Sequence, residues 1–280
     1  MARPTAIILP TLGRPHRVAP LLANIAEATS GPHRVYFVAE PHDTATIEAV
    51  EASPAELILN RGPGSYASCI NTAYHATSEP FFFTGADDIR FTPGWLPAAL
   101  AEMDDPAIGV VGTVDPLHEF PDQSTHSLVR RRYIAEESGC FDLPNTVLYP
   151  YHHGYCDTEF LAVAKARGAY VYCEQSRVEH HHPGWDWLGN VRSDDERYDA
   201  TYAKGNSRHW EDLQTFLSRS RAWSSRLEPN SPATRSLLKF LRRNRGLRGR
   251  LRYAYRAAGD ATGLSLAARR LRRIMRRDAA

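Results

Sequence analysis

Long apolar runs are missing from this chain of 280 residues. A membrane-spanning helix needs roughly 18 or more consecutive apolar residues, so none is expected. The run Ala6–Pro10 is too short for the hydrophobic core of a secretion signal and reads as a buried strand. Cysteine is scarce. The 4 cysteines (Cys69, Cys140, Cys156 and Cys173) lack metal-type spacing and are too few for a disulfide scaffold. They predict reduced thiols in a cytoplasmic protein. Lysine is nearly absent, at 3 residues against 31 arginines. Together with abundant alanine this is a coding bias of GC-rich genomes and carries no mechanism. Glycine motifs for phosphate are lacking as well. Gly62-Pro63-Gly64-Ser65 has no following Lys-Ser/Thr pair and no Gly-x-Gly-x-x-Gly spacing. It reads as a tight turn into a helix, with close backbone approach to a nucleotide as the functional alternative.

The composition, 24% charged and 42% hydrophobic, is that of a globular protein long enough for one large core or two modest ones. The formal net charge of +2 hides a split. Residues 1–231 hold 19 basic and 30 acidic side chains, a net of −11, whereas residues 232–280 hold 15 and 2, a net of +13. The two parts have different physical jobs. Pro229-Asn230-Ser231-Pro232 marks the boundary between them.

Strand-like and helix-like periods alternate through the first hundred residues. Ala6–Leu9, Arg34–Ala39, Glu56–Leu59 and Pro80–Thr84 read as strands; Arg17–Ala28, Thr44–Ala52 and Tyr66–Ala76 read as helices. Apolar, non-alternating strands separated by helices predict a mainly parallel sheet covered on both faces, an α/β fold. Ligands of such sheets bind at the carboxyl ends of the strands. Beyond residue 100 the pattern predicts a strand at Gly109–Val114, a polar loop to Thr125 and the segment His126–Tyr133. A helix is expected from near Asp157 to Gly168, then a strand Tyr170–Cys173 and the run Val178–Pro183. Asp186–Trp223 reads as polar helices, and 232–280 as arginine-rich amphipathic helices.

Three features carry possible chemistry. Adjacent Asp87 and Asp88 close a buried strand, where two carboxylates repel and lose hydration unless a cation or donors compensate. Mg²⁺ and Mn²⁺ favour such oxygens; a polar turn is the structural alternative. His180-His181-His182 offers imidazole, a ligand for Mn²⁺ and other transition metals, or is a solvated surface cluster. In an extended segment His180 and His182 face one side and His181 the other. Asp157 opens an apolar helix, either as an N-cap or as a general base.

In this order the pieces resemble the GT-A glycosyltransferases that use nucleotide-sugars, specifically their large, mostly inverting family. Pro10-Thr11 with Arg14 resembles the family's Pro-Thr-x-x-Arg opening, and Glu40 lies where an acidic residue often contacts the nucleoside. Asn60, Gly62 and Asn71 resemble its middle block, with Gly64 beside it. Phe81–Asp88 followed by Pro93-Gly94-Trp95-Leu96 resembles its acidic metal motif. Cys156-Asp157-Thr158-Glu159 with Arg167-Gly168 resembles its Glu-Asp block, and Val178-Glu179-His180 its terminal Val-x-His element. Two departures stand out: the Asp-x-Asp motif lacks a carboxylate at Gly85, and Cys156 replaces the Glu before Asp157.

The resemblance covers about residues 5–185. It implies a GT-A-like mixed, mainly parallel sheet flanked by helices. It implies a catalytic domain over 1–185, with a nucleotide-sugar half at about 1–100 and an acceptor half at about 101–185. A helical extension (186–231) and the basic tail (232–280) come after it. By the same resemblance Pro10, Thr11, Arg14, Glu40, Gly64, Asn71 and Asp87 contact the donor. Asp87, Asp88 and His180 hold Mn²⁺ or Mg²⁺, and Asp157 is the base. The implied activity is metal-dependent transfer of a sugar, from a UDP-sugar by preference, to a hydroxyl on a glycan, a lipid-linked precursor or a protein. Trp95 is read as a helix anchor ahead of a sugar platform, a role Trp185 shares. The tail suits self-association, docking on an acidic body or a peripheral contact at the inner membrane face. Nucleic acid is not expected beside so acidic a body. A nucleotidyltransferase is the enzymatic alternative, which needs a basic glycine-rich loop after the first strand. A non-catalytic sugar-nucleotide-binding adaptor is the other.

Overall fold

Six of the seven residues of strand β1 (Thr5–Thr11) are buried, the uninterrupted burial of a strand covered on both faces. A computed structural model describes this strand within residues 3–117, 122–152, 154–181 and 209–245. Helix α1 (Pro15–Ala28) begins after a three-residue link. It opens on proline, whose fixed φ suits a first helical position. Its buried Val18, Leu21, Ile25 and Ala28 fall on one face. β2 (His33–Ala39), α2 (Thr44–Glu51), β3 (Glu56–Leu59), α3 (Tyr66–Ala76) and β4 (Phe81–Thr84) continue the alternation, within a residue or two of the sequence reading.

The next elements are β5 (Ile89–Phe91), α4 (Trp95–Glu102), β6 (Val110–Val114), β7 (Ser127–Arg130) and α5 (Arg131–Glu137). α6 (Cys156–Ala166), β8 (Tyr170–His180), α7 (His209–Arg219), a short 3-10 turn (Ser224–Arg226) and α8 (Pro232–Arg245) follow among the described residues. Eight strands form one sheet in the order β3-β2-β1-β4-β7-β6-β8-β5. β3, β2, β1 and β4 run parallel; β7 is antiparallel to both β4 and β6. β6 and β8 are parallel, and β5 is antiparallel to β8. The sheet is therefore mixed and mainly parallel.

β8 is a single long strand where the sequence suggested a strand and a separate run. Its first part pairs with β6 as far as Thr113 opposite Cys173. The register then jumps, so that Val114 lies opposite Arg177. Such an irregularity bends a strand and re-aims its side chains. Beyond it β8 pairs with β5, placing His180 opposite Ile89.

Close packing constrains the chain on both sides of β5. A Cβ on Gly85 would lie 2.8 Å from Leu9 Cδ2 and 3.0 Å from the Ile8 carbonyl, so a side chain there would make its neighbours shift. The tight turn after β4 is consistent with glycine at that position. Trp95 is fully buried, with its ring 4.7 Å from Phe83 and 4.6 Å from Phe91, and it donates to Thr29 Oγ1 at 2.9 Å. It anchors α4, and its burial removes it as a sugar platform. Trp185 and His182 lie outside the described residues.

By its internal contacts the chain divides into two compact units, Met1–Arg235 and Ser236–Ala280. Within the first, α7 packs on the loop preceding α6. Phe216 stacks on Tyr155 at 4.7 Å, and Asp212 accepts the backbone N–H groups of His152 and Gly154 at 2.8 Å each. Of the expected extension 186–231, residues 186–208 lie outside the described residues. In the second unit Lys239, Arg242 and Arg243 are exposed, and 246–280 are outside the described residues. Among the described residues no helix is long and apolar enough to cross a membrane.

Candidate active site

The site is built where parallel strands end. β1 delivers Pro10 and Thr11 to the rim, with Pro10 paired opposite Val38. The link to α1 places Arg14 beside the turn after β4. There Asp87, 4% exposed, accepts the Thr11 hydroxyl at 2.8 Å and the Arg14 guanidinium at 2.5 Å. Arg17, one turn into α1, stands 3.8 Å away. Burial raises the proton affinity of Asp87, Arg14 opposes that, and the adjacent Asp88 reinforces it. Asp87 is thus compensated by cationic side chains, and Arg17 is a contributor that sequence reasoning missed. Its helical offset of three from Arg14 was the available signal.

Asp88 faces the other way. Its carboxylate lies 3.5 Å from His180 Nε2, and its backbone carbonyl accepts the His181 N–H at 2.8 Å. The pairing of β5 with β8 produces this meeting, since Asp88 immediately precedes β5. His181 turns to Glu179 at 3.0 Å, so neighbouring imidazoles point to different partners as strand alternation requires. Burial draws His180 toward its neutral form, but the carboxylates of Asp88, Asp115 and Asp157 outweigh it and raise its pKa. Asp115 carries no sequence motif. Its signal is only its place directly after a strand.

Asp157 is one residue inside α6, so it is not the cap. The cap is Tyr155, in the left-handed region with φ 68°, without a side-chain cap bond. Asp157 lines a small hollow with Tyr66, Thr84, Ser124, Ser127 and Leu148. Burial raises its pKa, against the Thr158 backbone and hydroxyl and the charge of His180. A carboxylate so placed takes up a proton more readily than an ordinary one. The neighbouring Glu159 points away: it accepts from Tyr151 and from Arg219, which also grips Asp142 at 2.7 Å. That network fastens α6 to α7.

A second cluster surrounds Glu40, at the end of β2. Glu40 is buried, and its Oε1 accepts from Asn60 Nδ2 at 2.7 Å. Asn60 Oδ1 in turn accepts from Ser68, Thr72 and the Gly62 N–H at 2.9, 3.0 and 3.2 Å. Gly64 is exposed, and a Cβ there would lie 3.5 Å from the Glu40 carboxylate. Asp43, the cap of α2, accepts the Gly13 N–H at 2.5 Å and so ties the loops after β1 and β2 together. Asn71, expected at the donor, instead spends its side chain on Val147 and Leu148 backbone groups at 2.8–3.0 Å. It shapes the loop leading to α6.

The structure therefore pairs Asp88 with His180 and sets Asp115 on the His180 backbone, with the charge of Asp157 acting on His180 and with Thr11, Arg14 and Asp87 forming the neighbouring group. Among the described residues no three His, Cys, Asp or Glu side chains form a ready-made metal cage. Asp88 and His180 nonetheless suit a hard or borderline divalent cation, which usually completes its shell with water and substrate phosphates. The carboxylates of Asp88, Asp115 and Asp157 that raise the His180 pKa also attract a cation.

This sheet order, with its rim of acidic residues, is the GT-A fold of nucleotide-sugar glycosyltransferases. Solved structures agree. A mannosyltransferase from Pyrobaculum calidifontis, in complex with GDP-Man and Mn²⁺, matches 100% of this chain and 81% of its own at 17% identity, with a TM-score of 0.59. Glucosyl-3-phosphoglycerate synthase from Mycobacterium tuberculosis, with Mn²⁺, UDP and glucosyl-3-phosphoglycerate, matches 67% and 75% at 16% identity, with a TM-score of 0.50. No family model matches the sequence. No curated protein matches it either.

Proposed function

We propose that the protein is a divalent-cation-dependent glycosyltransferase, moving a sugar from a nucleoside-diphosphate sugar to a hydroxyl. The observation that supports this is the contact of Asp88 with His180 at the rim of a GT-A sheet, with the charge of Asp157 acting on the same imidazole. Asp88 and His180 would hold the cation, which supplies positive charge to the departing diphosphate. Glu40 and its Asn60 partner take the nucleoside end. Arg14 and Arg17 lend positive charge on the α1 side and oppose the burial that raises the Asp87 pKa. Asp157 accepts the proton of the acceptor hydroxyl as its oxygen bonds to the anomeric carbon and the bond to diphosphate breaks. Attack from the face opposite the leaving group inverts the anomeric centre. The mannosyltransferase is bound to GDP-Man and the synthase to UDP, and UDP is our preferred base. The acceptor is a glycan, a lipid-linked precursor or a protein.

The nucleotidyltransferase alternative lacks support, because only three residues separate β1 from α1. We assign the basic tail to acidic surfaces, either another copy's body or anionic lipid at the inner face of the membrane.

The test is a thermal-shift screen of nucleoside diphosphates with and without Mn²⁺, and then donor turnover. A ligand that binds only the folded state must raise the apparent Tm. Asp157→Asn should abolish transfer while leaving the nucleotide-induced shift in place. A fully active Asp157→Asn enzyme refutes the assigned base, and no Mn²⁺-dependent shift with any nucleotide refutes the cation site.

A further inference from the structure

Asp115 comes directly after the last residue of β6, at the point where β8 has just jumped register. It is 8% exposed. Its Oδ1 accepts the backbone N–H of Leu117 at 3.0 Å and that of His180 at 3.2 Å. Its Oδ2 is buried and has no hydrogen-bond partner among the described residues. A carboxylate only accepts, so this oxygen calls for a donor or a cation. Leaving a buried acceptor unsatisfied is costly, and the cost is greater for a charged group. In native structures such a group marks strain, a catalytic role, or a place for a water or an ion.

The two bonds to Oδ1 also do something directional. They lock the carboxylate against the backbone of the very residue whose imidazole meets Asp88. The charge of Asp115 is therefore delivered to the Asp88–His180 pair by the fold and not by a flexible side chain.

We propose that Asp115 is a second carboxylate of the cation site, clamped on the His180 backbone so that its charge strengthens the hold of Asp88 and His180 on a divalent ion. This rests on the proposed role of Asp88 and His180 as cation ligands. Asp115 is a positioning residue: it fixes the end of β8 and adds field without touching the sugar.

Asp115→Asn isolates the charge, because Asn Oδ1 can still accept both N–H groups. The full-length protein is titrated with Mn²⁺ in the presence of UDP or GDP, monitoring the free-Mn²⁺ EPR signal. The apparent Kd for Mn²⁺ should rise about 10–100-fold, the usual effect of losing a supporting residue at a metal site. The Tm without metal should stay level or rise, since a buried charge has been removed. Asp88→Asn serves as the control for losing the ion outright. Unchanged Mn²⁺ affinity in Asp115→Asn, with a responsive wild type, overturns this inference alone. A lower metal-free Tm for Asp115→Asn also overturns it, since the charge would then be stabilising the resting fold. A wild type that takes up no Mn²⁺ sinks both this inference and the cation site on which it rests.

Discussion

Adjacent aspartates have separate lives here. Asp87 is satisfied by Thr11 and Arg14, whereas Asp88 meets His180. Removing the partner of a buried carboxylate strands its charge, so Arg14→Met should cost about 3–5 kcal/mol in urea unfolding. Adding Asp87→Asn to that variant should recover much of the loss, a non-additivity that a double-mutant cycle measures. Asp157 makes a pH prediction. Its folded pKa is raised by burial, so the folded state binds that proton more tightly than the unfolded chain. Its stabilising share is complete below the unfolded value of about 3.9 and is lost as pH rises through the folded one. Near neutral pH, metal-free Asp157→Asn should melt at or above wild type, with the gap closing in acid. Transfer, which needs the ionised base, should fall at a higher pH than an ordinary carboxylate would give. Asp87, Asp88 and Asp157 were legible as residue types at strand and helix ends. How Asp87 and Asp88 divide their roles was not, because it depends on who arrives from α1 and β8. Asp115 was invisible for the same reason: one aspartate after a strand has no spacing to read.

Among the elements, α7 holds the helix that carries Asp157. Asp212, 1% exposed, satisfies two backbone N–H groups in the loop before α6, and Arg219 secures Glu159 inside α6. Asp212→Ala leaves those N–H groups without an acceptor, at about 1–3 kcal/mol for a buried unsatisfied group. Hydrogen exchange at 152–156 should quicken, and turnover should fall more than nucleotide binding does. The early elements were readable because each strand and helix repeats its own period within a few residues. β8 was not readable as one strand, since its two halves serve different neighbours and apolar pattern says nothing about pairing. Gly85 shows the reverse limit. The sequence reports a departure from the motif it resembles, and the close approach of Leu9 and Ile8 to Gly85 is visible only in the packing.

For the molecule as a whole, the near-neutral total conceals opposite ends. Residues 1–231 carry a net of −11 and residues 232–280 a net of +13. Contacts between unlike surfaces of this kind weaken as salt rises, since exposed charges are screened within about 8 Å at physiological ionic strength. The full chain should pellet with phosphatidylglycerol vesicles at low salt and be released by added NaCl. Sedimentation without vesicles reports self-association instead. If neither occurs at low salt, both roles for the tail fall. The charge boundary was plain in the sequence because it is a sum, and sums need no coordinates.

None of the four cysteines is in a disulfide, all four are buried, and burial pushes Cys140 up to about 12. Reagents that attack thiolates therefore have little to find until the chain opens. The protein thus contains its own unfolding clock. Pulse alkylation counted by mass should read out how often each region opens, at four places in the sequence, without a single engineered label.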